Sequence, residues 1–418
     1  MRIVIVSTYD NAGGASKSSY RLHSALISLG IDSILLVQSK YTNDHSVEEL
    51  GSKLDKKIAT VKPFFDYLPI RFYKNRTDTL FSPSFFSSAT LMKKINDLNP
   101  DIVHLQWVQG GMLNVKDLSK LSAPLVWGLN DMWAFTGGCH YDEDCGGYKS
   151  NCGKCKVLGS SSKFDLSSVI LSKKKKFYSS LRNLTVVGHS KWLADLASGS
   201  AVFSNHNVIN LPTPINTEKF APQSKELSRT LFDLPKKKKL ILFGAMGPTS
   251  NPRKGFKELS SALEKMETQD TELVIFGSGP PKEPLDSRHN IHYIPRLNDE
   301  LSLQMLYNTA DVMVVPSLQE NLSNIILESM SCGLPVVAFD IGGNGDMISH
   351  KSSGYLAKPF NTDDLLQGIN WVLNHSHAET LANKARNTML ERFSYSKVAQ
   401  QYQKLYGQIL LEDSSQLV

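Results

Sequence analysis

The chain of 418 residues lacks long apolar runs, and none approaches the about 20 residues that a membrane-spanning helix needs. It also lacks a recognisable leader, because Met1-Arg2 is followed at once by Ile3 to Val6, which reads as a strand. Both absences argue against a protein held in a bilayer by helices. We therefore expect a cytoplasmic protein, and a peripheral position at the inner face of the plasma membrane stays open.

A strong excess of one charge is missing too, since the formal net charge is only +6 at pH 7. This excess permits attraction to anionic membranes or phosphate-bearing substrates without requiring either. Lysine runs at 173–176 and 236–239 lack the interleaved aromatic residues that stack on bases, so no nucleic-acid partner is predicted. The basic-aromatic segment 71–76 reads as a solvated loop, with an acceptor-binding or membrane-facing surface as the alternative.

Cysteine is scarce, with five residues, but four of them lie within residues 139–155. Without an export signal, such clustering suggests metal before disulfides. Four thiolates suit a structural tetrahedral zinc ion, and they leave no open position for catalysis. Four free thiols in a mobile loop are an alternative of equal weight. The predicted zinc ligands are Cys139, Cys145, Cys152 and Cys155.

The most informative stretch is residues 311–340, which reads as strand, loop, helix, turn and strand. Ser323 is the expected cap of a short helix over Asn324 to Cys332. A helix that starts after a strand is a ready anion site, because its first N–H groups have no partner within the helix. We therefore predict that a diphosphate lies over Leu322, Ser323 and Asn324.

Two carboxylates frame this stretch, Glu320 before the predicted helix and Glu328 in its second turn. Glu328 could accept both hydroxyls of a ribose, while Glu320 would face the group that the diphosphate carries. This is the layout of a nucleotide-sugar site. The spacing alone favours an ordinary βαβ unit with two solvated glutamates, so the interpretation depends on the flanking motifs.

Seven residues separate Glu320 from Glu328, and the sequence ESMSCGLPVVAFD continues from Glu328. This pattern resembles the paired-glutamate signature of retaining glycosyltransferases of the GT-B fold, in the large family 4 of sugar transferases. The resemblance covers nearly the whole chain and is strongest at residues 240–345 and 124–155. The second block resembles a subgroup that builds bacterial surface polysaccharides.

The resemblance implies an α/β protein, with two doubly wound Rossmann-like domains that face one cleft. Residues 1–212 would form the acceptor-side domain, with a cysteine-rich insertion near 139–155. Residues 213–394 would bind the nucleotide-sugar donor. Residues 395–418 would form a helix that crosses back to the first domain.

The resemblance also assigns further donor contacts. Lys254 matches the family's lysine that meets the donor diphosphate, and Arg253 is a candidate replacement for an arginine that relatives carry nearer the preceding strand. Two glycine turns and the segment that cradles the base in relatives supply the rest. These remaining residues are Gly13, Gly14, Gly277, Arg296 and Leu297.

Asn130 stands where many relatives carry histidine. An amide can donate and accept hydrogen bonds but cannot take a proton, so general-base catalysis from this position is in doubt. Contacts of Asn130 with sugar hydroxyls or carbonyls remain open. Asp131 is the ionisable group beside it, with helix capping as its alternative role.

The implied reaction moves a sugar from a UDP- or GDP-linked donor to a glycan or lipid-linked glycan acceptor, with retention of the anomeric configuration. Glu320, Lys254 and Asn130 are the candidate catalytic residues. No metal is expected for the chemistry, and the leaving phosphate would take the acceptor's proton. The alternatives are an epimerase on the same fold, a glycosidase that uses two carboxylates and a zinc-knuckle nucleic-acid binder.

Overall fold

The computed structural model describes residues 1–51, 61–86, 90–181, 183–245, 247–267, 270–280 and 288–416. The chain divides into two compact units. The first unit comprises Met1–Pro214 and Val398–Val418, and the second comprises Ile215–Lys397. The acceptor-side and donor-binding roles predicted for the two halves stay predictions.

The first unit is built on a seven-stranded sheet in which all paired strands are parallel. Its strand order is β3-β2-β1-β4-β5-β6-β7, so the direction of winding reverses between β1 and β4. Ile3 to Val6 of β1 are fully buried, as expected for a strand covered on both faces. The strands are β1 (Arg2–Tyr9), β2 (Asp32–Ser39), β3 (Val47–Glu49), β4 (Ile102–Leu105), β5 (Leu125–Leu129), β6 (Leu184–Gly188) and β7 (Asn207–Asn210).

Helices connect these strands, and side chains cap two of them. The Ser190 hydroxyl accepts from Leu193 N at 3.1 Å and caps the helix that begins at Lys191. Asp165 caps the helix that carries the first lysine run. The helices are α1 (Gly14–Ser28), α2 (Leu91–Asp97), α3 (Leu166–Tyr178) and α4 (Lys191–Ser198). Short 3-10 helices cover Leu68–Phe72, Val115–Lys120, Trp133–Phe135 and Gly147–Lys149.

The second unit repeats this plan with six parallel strands in the order β10-β9-β8-β11-β12-β13. Here the winding reverses between β8 and β11. Doubly wound sheets bind ligands at the carboxyl ends of the strands beside such a reversal. The strands are β8 (Lys239–Gly244), β9 (Thr271–Phe276), β10 (Ile291–Ile294), β11 (Val312–Val315), β12 (Val336–Phe339) and β13 (Gly354–Ala357).

The helices of the second unit cover both faces of its sheet, so two apolar clusters flank the strands. A 3-10 helix, Pro252–Lys254, precedes the second of these helices. The helices are α5 (Lys225–Leu231), α6 (Phe256–Leu263), α7 (Glu300–Tyr307), α8 (Asn324–Ser331), α9 (Asn344–Met347), α10 (Thr362–Leu373) and α11 (Ala378–Arg392).

The last helix, α12 (Tyr395–Gln416), belongs to the first unit from Val398 onward. Its apolar face is buried, because Val398, Tyr402, Leu405 and Ile409 are each at most 8% exposed. The predicted α/β class with two doubly wound parallel sheets is therefore confirmed. Within the described residues, no helix combines the length and the apolarity that crossing a bilayer requires.

Candidate active site

The candidate donor site lies at the winding reversal of the second sheet, where β8 and β11 end side by side. The loop after β8 leads to Lys254, and the loop after β11 leads to Glu320. The two side chains meet, with 3.0 Å between Lys254 Nζ and Glu320 Oε2. Their side chains are only 17% and 14% exposed, so water screens this ion pair weakly.

The surroundings of Glu320 favour its ionised form. Burial raises the pKa of this carboxyl, but the charges of Lys254 and Arg253 and hydrogen bonds from Lys254 and Ser317 outweigh burial. The pKa of Glu320 therefore lies below its ordinary value, and the group is a carboxylate at neutral pH. An anion is thus held beside two cations in a mostly buried position.

Backbone contacts fix the two loops against each other. Leu318 N donates to Arg253 O at 2.9 Å, and Arg253 Nη1 donates to Gln319 O at 3.1 Å. Gly255 has φ +74°, and a Cβ added there would lie 1.8 Å from Pro316 O. Only glycine therefore permits this approach.

A second glycine fixes the other side of the glutamate loop. Gly342 has φ +53°, and a Cβ added there would lie 1.8 Å from Glu320 O. The backbone of Glu320 is therefore in direct contact with the turn that follows β12. Two glycine contacts and the hydrogen bonds of Arg253 together hold Lys254 and Glu320 in a preformed arrangement.

Glu328 is 3% exposed on α8, and its Oε2 accepts from the Tyr307 hydroxyl at 2.7 Å. Tyr307 in turn packs edge-on against Phe276, with 5.9 Å between the ring centroids. Phe276 ends β9 and precedes Gly277, whose φ of +101° brings it against Ala245 O. The structure therefore links the predicted ribose-binding carboxylate to the glycine turn predicted to contact the donor.

The amino end of α8 follows the glutamate loop. Ser323 occupies the N-cap position, as predicted, but its side chain makes no capping hydrogen bond, which corrects the chemistry expected of it. Leu322 and Ser323 are buried, at 8% and 4% exposure. The helix begins at Asn324 and ends at Ser331, one residue before the predicted end. The diphosphate position over this end stays a prediction.

Arg296 and Leu297 follow β10. The Arg296 side chain is exposed, whereas Leu297 packs against the apolar cluster that contains Leu322 and Ile294. The base-binding role of both residues stays a prediction.

In the first unit, the glycine turn lies at the carboxyl end of β1, beside that sheet's winding reversal. Gly13 has φ +92° and precedes α1, which begins at Gly14. A Cβ on Gly13 would meet nothing within 4 Å, so the positive φ and not crowding explains this glycine. Donor contacts of Gly13 and Gly14 stay predictions.

Asn130 follows β5 and is part of a hydrogen-bond network in the first unit. Its Nδ2 donates to Gln106 Oε1 at 3.0 Å, and the same oxygen lies 3.1 Å from His189 Nε2. Gln106 Nε2 lies 3.0 Å from His104 Nε2, and His104 Nδ1 lies 2.6 Å from the Tyr406 hydroxyl.

The charge state of this network follows from its burial. Burial and the neighbouring His189 lower the pKa of His104 to about 3, and burial lowers the pKa of His189 to about 4. Both rings are therefore neutral at physiological pH. Asn130 thus receives its orientation from an uncharged, fully buried neighbour, Gln106.

The second unit resembles a known protein family. Residues 237–375 match the family described as Glycosyl transferases group 1. This segment is similar to a group 1 glycosyltransferase domain. It contains Lys254, Glu320 and Glu328, so the sequence-based expectation of a transferase enzyme agrees with its family.

Two relatives extend the comparison. An uncharacterized glycosyltransferase from Methanocaldococcus jannaschii is 31% identical over 163 residues, which are 37% of this chain and 42% of that protein. The UDP-Gal:alpha-D-GlcNAc-diphosphoundecaprenol alpha-1,3-galactosyltransferase from Escherichia coli is 24% identical over 206 residues, 47% of this chain and 53% of that protein. The chain thus matches about half the length of these relatives.

The fold of the whole chain resembles solved structures. The Anabaena protein HepE in complex with UDP-glucose superposes with a TM-score of 0.65 over 98% of this chain and 100% of that chain, at 14% identity. This likeness concerns the fold alone, and it confirms the GT-B class.

The cysteines do not form the predicted zinc site. Within the described part of the chain, no three His, Cys, Asp or Glu side chains are placed to hold a metal ion. Cys139 and Cys155 pack in a small apolar cluster, whereas Cys145 is exposed. Burial raises the pKa of all four thiols, that of Cys152 to about 11. All four are free, and a zinc-knuckle function loses its basis.

The sequence did not reveal a chain of three polar side chains beside Asn130. Ser82 Oγ lies 2.9 Å from His140 Nε2, and His140 Nδ1 lies 2.6 Å from Asp131 Oδ2. Asp131 Oδ1 also accepts from Trp133 N at 2.9 Å, but the N-cap of the 3-10 helix Trp133–Phe135 is Met132, so the capping alternative for Asp131 is not confirmed. Nothing in the sequence links Ser82 to a histidine 58 positions away, because a long loop closes the contact.

The lysine run of the first unit is not a uniform solvated face. Lys174 is buried on α3 and donates to the carbonyl oxygens of Trp133 and Thr136. Its Nζ lies 3.9 Å from the centre of the Trp133 ring. Lys173 lies 4.7 Å from the ring centre of Phe85. One lysine of the run is therefore packed in the interior, and the others lie at the surface.

Proposed function

We propose that this protein is a retaining glycosyltransferase that moves a sugar from a UDP- or GDP-linked donor onto a growing, lipid-linked surface polysaccharide. The observation that carries the proposal is the Lys254–Glu320 ion pair at the winding reversal of the second sheet. The group 1 family of residues 237–375 supports it. The UDP-glucose bound to the similarly folded HepE supports a nucleotide-sugar donor.

The donor diphosphate binds at the amino end of α8, over Leu322, Ser323 and Asn324. The first N–H groups of a helix point out of its end, and the helix dipole adds positive potential there. Lys254 and Arg253 supply two cations from the adjacent loop. These charges stabilise the leaving diphosphate without requiring a metal ion.

Glu320 faces the donor sugar. Its lowered pKa keeps it ionised, so it stabilises the positive charge that develops at the anomeric carbon as the bond to phosphate breaks. Lys254 lies between this carboxylate and the diphosphate and attracts both. In the transition state, Glu320 thus lies beside the developing positive charge of the sugar, and Lys254 lies beside the developing negative charge of the diphosphate.

Glu328 holds the ribose. The Tyr307 hydroxyl already donates to one of its oxygens, which fixes the rotamer of the carboxylate. A carboxylate accepts several hydrogen bonds, so ribose hydroxyls can bind in addition. Gly277, Arg296 and Leu297 contact the nucleotide on the neighbouring strand ends.

The acceptor hydroxyl gives its proton to the leaving phosphate, which keeps both events on one face of the sugar and retains its configuration. Asn130 contacts acceptor hydroxyls, and it needs no change of protonation to do so. Gly13 and Gly14 supply backbone contacts from the end of β1.

The acceptor is a glycan carried on a membrane lipid. The Escherichia coli relative supports this class, because its name describes transfer to a diphosphoundecaprenol-linked sugar. The positive net charge suits work at the anionic inner face of the plasma membrane. Donor base, sugar and linkage follow from experiment.

A thermal-shift screen of the full chain against UDP- and GDP-linked sugars tests the proposal, because a bound ligand stabilises the folded state by mass action. One nucleotide sugar should raise the melting temperature, and the free sugar should not. Transfer to a lipid-linked glycan, followed by assignment of the new anomeric bond, then tests retention. Stabilisation by no nucleotide sugar would contradict the proposal.

A further inference from the structure

Large apolar side chains are exposed along one segment of the first unit. Seven of them fall within residues 61–86, and an eighth, Phe164, is 90% exposed. Contiguous exposed apolar surface of this kind marks an interaction site more often than chance scatter does. The seven are Val61, Phe64, Phe65, Leu68, Phe72, Leu80 and Phe86.

Four of these side chains form a helical stripe. Residues 61–67 are helical and continue into the 3-10 helix Leu68–Phe72. Val61, Phe64, Phe65 and Leu68 have the i, i+3, i+4, i+7 spacing that normally faces a core. Here each is at least 40% exposed, so the apolar stripe faces outward.

The opposite side of the segment is the anchored one. Asp66 is 3% exposed, and its carboxylate accepts from Ser84 N and Phe85 N at 2.9 and 2.7 Å. Ile70 is 1% exposed and packs in a cluster with Phe81. The stripe is therefore presented by a fixed backbone.

Two further phenylalanines extend this surface. Phe72 is 83% exposed, at the end of the 3-10 helix. Leu166 N donates to the Tyr73 hydroxyl at 3.0 Å, so the chain two residues after Phe164 contacts the residue that follows Phe72. We name the exposed side chains of Val61, Phe64, Phe65, Leu68, Phe72 and Phe164 the aromatic face.

Within residues 61–76, the charged side chains that are not buried are all basic. Residues 61–76 contain four basic side chains and one acidic side chain, Asp66, which is buried. The Arg71 guanidinium lies 4.7 Å from the ring centre of Phe64, and that of Arg76 lies 5.8 Å from the ring centre of Tyr67. Cations thus border the apolar side chains. The basic residues are Lys62, Arg71, Lys74 and Arg76.

We propose that the aromatic face docks onto the surface of an anionic lipid bilayer. Phenylalanines enter the acyl boundary while lysines and arginines at their edge contact lipid phosphates, which is how interfacial segments bind membranes. The charge complementarity selects anionic lipid over a neutral surface. The proposed lipid-linked acceptor gives this docking a purpose, but the docking depends only on the exposed side chains and their charges.

Vesicle binding of the full chain tests the docking. Vesicles of phosphatidylcholine with phosphatidylglycerol are compared with vesicles of phosphatidylcholine alone, by co-sedimentation at low and at high salt. The protein should bind the anionic vesicles and release at high salt, because salt screens the basic side chains. Equal binding to both vesicle types, or binding to neither, would overturn the proposal.

Variants assign the binding to the aromatic face. Phe72→Ser and Phe164→Ser should each weaken vesicle affinity by roughly tenfold, the scale of burying one phenylalanine. Arg71→Ala and Lys74→Ala should each weaken it by about fivefold. Leu227→Ser and Leu231→Ser are the matched controls, since these leucines are 54% and 62% exposed in the second unit. If the leucine variants lose as much vesicle affinity as the phenylalanine variants, the assignment of binding to the aromatic face is wrong.

Two further readouts separate the explanations. Sedimentation of the protein alone reports whether Phe72→Ser changes the oligomeric state; such a change with unaltered vesicle binding would assign the face to a second copy and overturn the proposal. The melting temperature and the UDP-sugar affinity of each variant should equal those of the wild type. Vesicle binding without any nucleotide-sugar binding would leave the docking intact and reject the transferase function instead.

Discussion

Lys254 is the residue on which two separate properties of the site depend. Its ammonium group contacts Glu320 at 3.0 Å and lowers the pKa of that carboxyl. It also lies in the loop after β8, which is proposed to supply cations to the donor diphosphate. A single substitution therefore tests both the charge of Glu320 and the stabilisation of the leaving group.

We expect Lys254→Ala to lower turnover by ~10²–10³, the scale of losing one preorganised charge donor. Without the neighbouring cation, the pKa of Glu320 should rise, so the acidic limb of the pH–rate profile should move to higher pH. Steady-state kinetics across pH measures both effects. Lys265→Ala is the matched control, because Lys265 pairs with Asp363 at the surface of the same unit. A wild-type rate in Lys254→Ala would remove this residue from the site.

Glu328→Gln should weaken the binding of UDP or GDP by about 10- to 100-fold, the scale of losing hydrogen bonds to a charged group. The ribose role is isolated by comparing each nucleotide with its 2′-deoxy form by calorimetry. The wild type should prefer the ribonucleotide, and the variant should have lost that preference. A preference that persists in Glu328→Gln would contradict the ribose assignment, whatever the variant's stability.

The hydrogen bond between Tyr307 and Glu328 could not be predicted from the sequence. Glu328 was predicted from its spacing to Glu320 and from a family resemblance, and both signals lie in residues close to Glu328 in the sequence. The hydroxyl that donates to Glu328 comes from another helix, α7, and no local pattern connects the two. The same holds for Ser82 and His140, which are joined by loop closure.

Elements were predicted well where their sequences are apolar and short. Residues 311–340 fold as strand, loop, helix, turn and strand, as their sequence predicts. Their residues satisfy the periodicity of buried strands or of an amphipathic helix, which depends only on neighbours in sequence. The cysteine segment lacks such periodicity, and its cysteines were assigned wrongly to zinc because spacing alone does not report which thiols pack into a core.

The glycine that ends the lysine turn gives a prediction for the loops. Gly255→Ala should destabilise the protein by at least about 1–2 kcal/mol, since a left-handed backbone is unfavourable with a side chain. Contact of the new methyl group with Pro316 O should also separate Lys254 from Glu320 and weaken donor binding. Thermal unfolding and nucleotide affinity measure the two effects.

Gly279→Ala serves as the control for this substitution. A Cβ added at Gly279, in the same unit, would meet nothing within 4 Å. Its melting temperature should match that of the wild type. If Gly255→Ala retains both stability and donor affinity, the contact with Pro316 does not hold the two loops together.

At the scale of the whole molecule, three buried histidines make stability depend on pH. Burial lowers the pKa of His23 and His189 to about 4, and burial with the charge of His189 lowers that of His104 to about 3. The unfolded chain therefore binds more protons than the folded chain between pH ~6.5 and these values. The contribution of these neutral histidines to the stability of the folded state is complete above pH ~6.5 and is lost as the pH falls through this window.

We expect the free energy of unfolding to fall on acidification by up to about 1.4 kcal/mol per pH unit for each histidine. His189→Gln should reduce the change of the unfolding free energy with pH by the contribution of one proton. The new amide can still donate a hydrogen bond to Gln106. Denaturant unfolding at several pH values measures the slope. His377→Gln, at an exposed position, should leave it unchanged; an unchanged slope in His189→Gln would show that this ring is protonated in the folded protein.

The discontinuous make-up of the first unit has a consequence for biosynthesis. Strands β1 to β7 leave the ribosome before the second unit, yet Tyr402 and Tyr406 reach His189 and His104 only after residue 397 has been translated. Domains usually acquire their structure in the order of translation. The second unit is translated later but is contiguous in sequence, so it can complete its folding first. The sheet of the first unit is translated earlier but lacks its last helix until translation ends, and it needs protection from aggregation during that interval.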